Sequence, residues 1–352
     1  MAQRGLLPSG MAGWLAVIAI VVFSACGGVR PRARVEVVPP TATVATTAPA
    51  ATPSATPTAS GPRTVTLRAV GDVMLARSVA AHVTEADPAG PFAGVQALLA
   101  DGDITVGNLE CALSERGTPA PKGYTFEAPP LAARGLADAG FDVVAMANNH
   151  SMDFGGTALL DSLDALADAG VGVAGAGRDA AEAAAPVIVE RNGYRVAFLA
   201  FADVPPESGG YDVRSWAAGP DAPGIAWLDP DAVTEAVSRA AEYADFVVVL
   251  FHWGIEGSQT VTAAQRSMGH AAIDAGATLV IGSHPHVLQE VEEYGGGLIA
   301  YSLGNFVFDG FEGAANETGI LSVTLGEDGV ESWEMLPAEI GWDGLPRAAG
   351  QS

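Results

Sequence analysis

The sequence predicts a layered α/β domain, and three observations carry that expectation. From Arg63 onward, short apolar runs alternate with helix-like segments. The run Phe246 to Phe251 is apolar throughout, as suits a strand buried on both faces. Asp-Ala-Gly recurs at 138–140, 168–170 and 274–276, each time closing a helix before a strand, with Gly relieving the left-handed cap.

In order, Thr64 to Val70 is the first strand and ends in Gly71-Asp72-Val73-Met74-Leu75. Pro91 to Ala100 reads as helix. Asp103 to Val106 reads as a strand running into Gly107-Asn108-Leu109-Glu110. Leu131 to Ala139 is helix and Asp142 to Met146 strand, followed by Ala147-Asn148-Asn149-His150-Ser151-Met152-Asp153. Between Gly155 and Ala169, Leu159, Leu160, Leu163 and Leu166 fall at helical spacing, so one face is buried. Val171 to Ala174 is a short strand. Pro186 to Glu190 and Tyr194 to Ala202 flank Arg191-Asn192-Gly193, a hairpin by its turn residues.

Val204 to Trp227 carries several Pro and Gly residues and no period, the signature of a lid or binding loop. Asp229-Pro230 caps and opens a helix to about Tyr243. Phe246 to Phe251 then delivers His252-Trp253-Gly254. Thr262 and Gln265 form a capping-box pattern for a helix to Ala275. Thr278 to Ile281 runs into Gly282-Ser283-His284-Pro285-His286, where Pro285 is expected to hold His284 extended and send the two rings to different sides. Leu298 to Ser302 leads into Leu303-Gly304-Asn305-Phe306. Ile320 to Leu325 and Val330 to Leu336 close the domain as a hairpin, and residues 343–352 read as a tail.

The first 27 residues read as a processing segment, with Arg4 as the positive region and Met11 to Phe23 as a short apolar core. Phe23-Ser24-Ala25-Cys26-Gly27 resembles a bacterial lipoprotein signal with Cys26 as the lipidated residue, although an aliphatic residue is usual where Phe23 stands. Plain secretion and an uncleaved anchor are the alternatives. Residues 28–62, rich in Pro, Thr and Ala, read as a disordered tether. The expected location is therefore extracytoplasmic, at the cell membrane. Cys111 is the only other cysteine, so with Cys26 lipidated no disulfide is available. The net charge of -24 excludes non-specific binding to nucleic acid or to an anionic membrane surface. An anionic substrate would need a local positive centre, and a bound cation supplies one.

The chemistry lies at the strand ends. Of six histidines, His82 and His270 fall in helical segments and read as surface or packing residues. His150, His252, His284 and His286 follow strands, as do Asp72, Asn108, Glu110 and Asn149. Taken singly, Gly-Asp after a strand or Asn148-Asn149 is turn chemistry. Together, on the carboxyl edge where open α/β sheets collect ligands, they predict a metal site. Imidazole, carboxylate and amide without thiolate suit Mn, Fe or Zn, as one or two ions. Two ions about 3.5–4 Å apart would clamp a phosphoryl group. Asp72 and His286 are then assigned to the first ion, Asn149, His252 and His284 to the second, and Glu110 or Asn108 lies near the bridge. His150 faces the substrate as the catalytic acid, oriented by Asp153.

These six motifs, from about Thr64 to Asp309 and in the family's order, resemble the poly-γ-glutamate capsule-synthesis CapA family. The resemblance implies a calcineurin-like metallophosphatase fold, a two-sheet β-sandwich flanked by helices in four αββα layers, over residues 63–342. It also implies a cell-surface role in making or handling poly-γ-glutamate, with membrane-bound synthase subunits as partners. Asn305, in the last motif, is expected at the substrate. Two departures bear on chemistry. Metallophosphoesterases of this class usually carry Asp-x-His where this chain has Asp72 and Met74, and Asp where it has Asn108. Fewer ligands and less negative charge favour one firmly held ion over two. Two readings follow: a metal-dependent hydrolase of a phosphoester or of the polymer's amide, or a non-catalytic accessory protein that captures the polyanion.

Overall fold

The computed structural model describes residues 34–37, 63–207 and 209–350. The signal-like segment with Cys26 and most of the tether lie outside those residues. In chain order the principal strands of the first half are β1 (Arg34–Val37), β2 (Val65–Val73), β3 (Ile104–Leu109), β4 (Val143–Ala145), β5 (Gly172–Ala174), β6 (Val187–Arg191) and β7 (Tyr194–Asp203). The second half adds β8 (Phe246–Trp253), β9 (Leu279–Ser283), β10 (Val291–Tyr294), β11 (Gly297–Ala300), β12 (Asn305–Val307), β13 (Glu317–Gly326), β14 (Gly329–Ile340) and β15 (Pro346–Ala348). The main helices are α1 (Gln96–Ala100), α2 (Leu131–Ala139), α3 (Gly155–Ala169), α4 (Pro230–Ala241) and α5 (Ala263–Asp274).

Among the described residues two mixed sheets dominate. One runs β1-β6-β7-β8-β9-β11-β10 and the other β15-β14-β13-β2-β3-β4-β5, with β12 added alongside β2. Alternation along β8 shows how they stack. Phe246, Val248 and Leu250 join the core shared with the other sheet, where Leu67, Val106 and Val143 lie. Val247, Val249 and Phe251 point the other way, into a second core with Val233, Val237 and Met268 of α4 and α5. Leu136, Leu159 and Leu166 of α2 and α3 cover the far face of the second sheet. The layers are therefore helix, sheet, sheet, helix, as predicted. Each fully buried Val, Leu or Phe contributes roughly 1.5–3 kcal/mol against exposure.

The local signals largely hold. Thr262 Oγ1 accepts from Gln265 N at 3.1 Å while Gln265 Oε1 accepts from Thr262 N at 2.9 Å, completing the capping box. Asp229 caps α4 through Ala232 N at 3.0 Å. β6 and β7 pair as the expected hairpin, with Asn192 and Gly193 both at positive φ.

The differences have physical reasons. β2 and β3 run three residues past their predicted ends because Asp72 pairs in register with Asn108, beyond a bulge. The predicted helix at 91–100 divides into a short turn at Gly90–Phe92 and α1, since Val95 departs from helical φ/ψ. Arg34–Val37, inside the predicted tether, alternates β-formers and pairs antiparallel with β6. Pro346–Ala348, within the expected tail, adds an edge strand to β14.

Candidate metal centre

β3, β8 and β9 run parallel to both neighbours, β2 runs parallel to β3, and all four end at one rim. Two glycines set how closely the connecting chain approaches. A Cβ on Gly71 would sit 1.9 Å from the carbonyl oxygen of Gly304, and one on Gly282 would sit 1.9 Å from that of Tyr301. Only glycine lets these backbones touch, and Asp72 N donates to Gly304 O at 2.9 Å across the first contact.

Asp72, Glu110 and His252 are buried, and one ligand atom from each lies within 4.8 Å of the others. Asp72 Oδ1 accepts from Asn108 Nδ2 at 2.9 Å, and Oδ2 lies 3.2 Å from His286 Nδ1. Glu110 Oε1 is buried with no hydrogen-bond partner among the described residues. Burial, then the neighbouring Asp72 charge, pushes the Glu110 carboxyl well above the usual carboxylate range. An acid held so far from water needs a proton or a cation.

His252 Nε2 and Asn149 Oδ1, assigned to the same ion, stand 2.8 Å apart. His252 Nδ1 lies 2.9 Å from Ser283 Oγ, a contact the sequence did not reveal. Burial, reinforced by His284, holds the His252 imidazole well below its ordinary value, so the ring is neutral and fit to be a ligand. Asn108 differs from expectation. It turns its amide nitrogen to Asp72 and Glu110, and its oxygen accepts from Asn148 Nδ2 at 3.0 Å. Its oxygen could reach a cation only if the amide turned over and gave up Asn148.

The His284-Pro285-His286 turn is also not the extended segment expected. φ is 94° at His284 and 58° at His286, left-handed values that cost roughly 1–3 kcal/mol each. The turn holds because His284 N reaches Asp72 Oδ2 at 3.3 Å and Pro285 O accepts from Gly257 N at 2.8 Å. The strain keeps both rings at the rim, their centroids 6.1 Å apart.

Both nitrogens of the buried His284 ring lack hydrogen-bond partners among the described residues, and burial pushes its pKa down to about 3. Burial also opposes charging His286, but the hydrogen bond and charge of Asp72 prevail and hold its pKa above the ordinary value.

His150 stands opposite. Its Nδ1 lies 2.6 Å from Asp153 Oδ2, and Nε2 faces Glu110 Oε1 at 3.8 Å. The ring stacks on Phe126 at 4.2 Å between centroids. Burial lowers its pKa while Asp153 works to raise it. Asp153 in turn pairs with Lys122 Nζ at 2.9 Å. Lys122, with a side chain 0% exposed, also contacts Glu207 Oε1 at 2.5 Å and donates to Asn149 O at 2.5 Å.

Glu207 and Trp216, whose ring lies 5.1 Å from Lys122 Nζ, come from the long 204–227 segment, so that loop closes over the site. Lys122, Asn148, Ser283 and Glu207 escaped the sequence reading. The one available signal was that Lys122 is the only lysine in the chain.

Asn305 requires a correction. It is fully buried, with Oδ1 2.8 Å from His286 Nδ1 and Nδ2 donating to Ala315 O at 3.1 Å. Both ends of its amide are engaged by protein, so it positions His286 and does not meet a substrate. His82 is exposed and His270 stacks on Tyr294, as their helical placement suggested.

The rest of the donor set fits a divalent ion: buried carboxylate and imidazole donors, one carboxylate oxygen and two ring nitrogens without partners, and no thiolate. Two stacked mixed sheets with donor-bearing strand ends at a shared rim are the metallophosphatase fold. The chain belongs to the family described as bacterial capsule synthesis protein PGA_cap, which matches residues 66–310. It is 32% identical over 274 residues to the PGA biosynthesis protein CapA of Bacillus subtilis (strain 168), covering 77% of this chain and 70% of that one. It is 31% identical over 291 residues to the capsule biosynthesis protein CapA of Bacillus anthracis, covering 80% and 69%. A solved structure of a hypothetical protein from Thermus thermophilus aligns with TM-score 0.46 and 16% identity over 78% of this chain and 99% of that one, a likeness too remote to speak to function.

Proposed function

We propose that this chain is a metal-dependent phosphoester hydrolase that serves poly-γ-glutamate capsule synthesis from the outer face of the cell membrane. The observation that carries the catalytic part is the His150 geometry: Nδ1 clamped by Asp153 at 2.6 Å and Nε2 turned to Glu110 among the metal-binding donors. Family membership supports the capsule role. The Cys26 motif, a sequence signal only, supports tethering near the synthase.

Asp72, Glu110, Asn149, His252, His284 and His286 would hold the ion. When bound, it supplies Lewis acidity towards a phosphoryl group. Asp153 Oδ2 accepts a hydrogen bond from Nδ1–H and so fixes the tautomer of His150. Nε2 would take up a proton from solvent, the Asp153 charge would stabilise the imidazolium so formed, and Nε2 would give that proton to the leaving oxygen as its bond to phosphorus breaks and the oxygen of a water takes its place. Phe126 and the 204–227 segment keep water from the ring.

Turnover of p-nitrophenyl phosphate with Mn(II) or Zn(II) tests this. His150→Ala is expected to lower kcat by about 10²–10⁴-fold while leaving metal content unchanged. Equal rates in both proteins, at the level of buffer, would overturn it. Such a result with metal still bound would favour the second reading, a non-catalytic accessory that captures the polyanion through its cation. Met74, where an imidazole is usual, is the observation on that side.

A further inference from the structure

Arg77 follows the first strand-end motif, and its backbone is unusual. φ is 55°, a left-handed value that a residue with a long side chain adopts only at a cost. Asp309, from the other end of the domain, holds it there. Asp309 is buried, with Oδ1 3.0 Å from Arg77 Nε and Oδ2 accepting from Ser78 N at 3.0 Å and from Ser78 Oγ. Gly310, at φ 81°, makes the room, since a Cβ there would lie 2.5 Å from Arg77 Nη2. A carboxylate and a glycine thus fix where the guanidinium sits.

That place is beside the catalytic histidine. Arg77 Cζ lies over the Phe126 ring, 5.8 Å from its centroid, and His150 stacks on the same ring at 4.2 Å. Phe308 stands edge-on to Phe126 at 5.6 Å and to His286 at 5.1 Å, and continues the wall. Nε is spent on Asp309. Nη1 and Nη2 make no hydrogen bond among the described residues, and the side chain is 40% exposed. Lys122, also close to His150, is closed off from water and spends its charge on Asp153 and Glu207. Of the two cations, only Arg77 offers donors to solvent.

We infer that Arg77 is a substrate-binding residue whose free Nη1/Nη2 edge takes a carboxylate of a γ-linked glutamate chain. The inference rests on the capsule-polymer reading above and adds what the substrate must carry besides the bond that is cut. Two parallel N–H donors in one plane match the two oxygens of a carboxylate. The guanidinium reaches His150 through the Phe126 ring, one group removed from the reacting centre, so it meets a second acidic group of the same molecule. In a chain of net charge -24, a polyanion needs such a fixed cation to be held.

The test is calorimetric titration of the full-length chain in Mn(II) buffer with a short γ-linked glutamate oligomer and, separately, with inorganic phosphate. Wild type is compared with Arg77→Gly and Arg77→Lys. Arg77→Gly removes the guanidinium and relieves the left-handed backbone, so an unaltered circular dichroism spectrum is expected. Arg77→Lys keeps the charge and loses the fork, and it reads the same loss should the glycine variant not fold. Wild type is expected to bind the oligomer and both variants to bind it less tightly, Arg77→Gly by about tenfold or more. Phosphate affinity is expected to stay unchanged. Equal oligomer affinities in all three proteins, or no binding by wild type, would overturn the assignment. An equal loss for phosphate would place Arg77 at the phosphoryl group and overturn the carboxylate. No turnover enters this readout, so a failed titration and a failed hydrolase assay are separate results.

Discussion

The His284 imidazole sits in a strained turn with both nitrogens unpartnered, and its pKa of about 3 follows first from burial and then from His286. His252 is lowered for the same first reason. In the metal-free chain the unfolded state therefore takes up protons before the folded state does. The stability these two rings contribute is fully present above pH 6.5, the ordinary histidine value, and is lost as pH falls towards about 3. Glu110 and His286, whose pKa values are raised, act in the opposite sense, so the test is a difference. Between pH 7 and pH 4.5 the urea midpoint of the chelated chain should fall further for wild type than for His284→Gln. Equal slopes would mean the ring is solvated. The four rim histidines were legible in the sequence because each lies within a few residues of the end of an apolar run. The backbone conformation of His284 was not, because the contacts that hold it come from Asp72 and Gly257 on other segments.

Lys122 joins three segments that the sequence leaves separate: its own loop, the start of the α3 region through Asp153 and Asn149, and the 204–227 segment through Glu207 and Trp216. An ammonium offers three donors, and here it meets three acceptors. Lys122→Met leaves the Asp153 carboxylate buried beside an apolar chain, so a loss of roughly 3–5 kcal/mol in unfolding free energy is expected by chemical denaturation. Lys122→Arg should not restore it, since a planar fork cannot take the place of a compact ammonium. A change within about 0.5 kcal/mol for Lys122→Met, the range of an ordinary surface substitution, would contradict the clasp. Helices and strands were readable from periodicity and caps, the Thr262 box and the Asn192-Gly193 turn among them. The clasp was not, because residues 114–126 and 204–227 carry no period and their meaning lies in contacts far apart in the chain.

At the scale of the molecule, stacking two sheets brings the ends of β2, β3, β8 and β9 to a single rim, and Asp72 and His252, 180 residues apart in sequence, share it. The net charge is -24 and the rim gathers buried carboxylates and imidazoles, so the anionic substrate proposed above would approach favourably only with a cation bound there. The layer order was legible because alternating apolar runs and Gly-closed helices leave few other arrangements. Which strands neighbour which, and the edge strands β1 and β15, were not, since three or four residues are too short a run to mark a strand. The most direct measurement is metal analysis of the purified full-length chain after desalting, alongside Asp72→Asn and His252→Ala. A divalent ion retained by the wild type and lost or weakened at least tenfold in both variants is the expected result. A folded wild-type chain that carries no divalent ion, and takes none up from millimolar Mn(II) or Zn(II), would contradict the account.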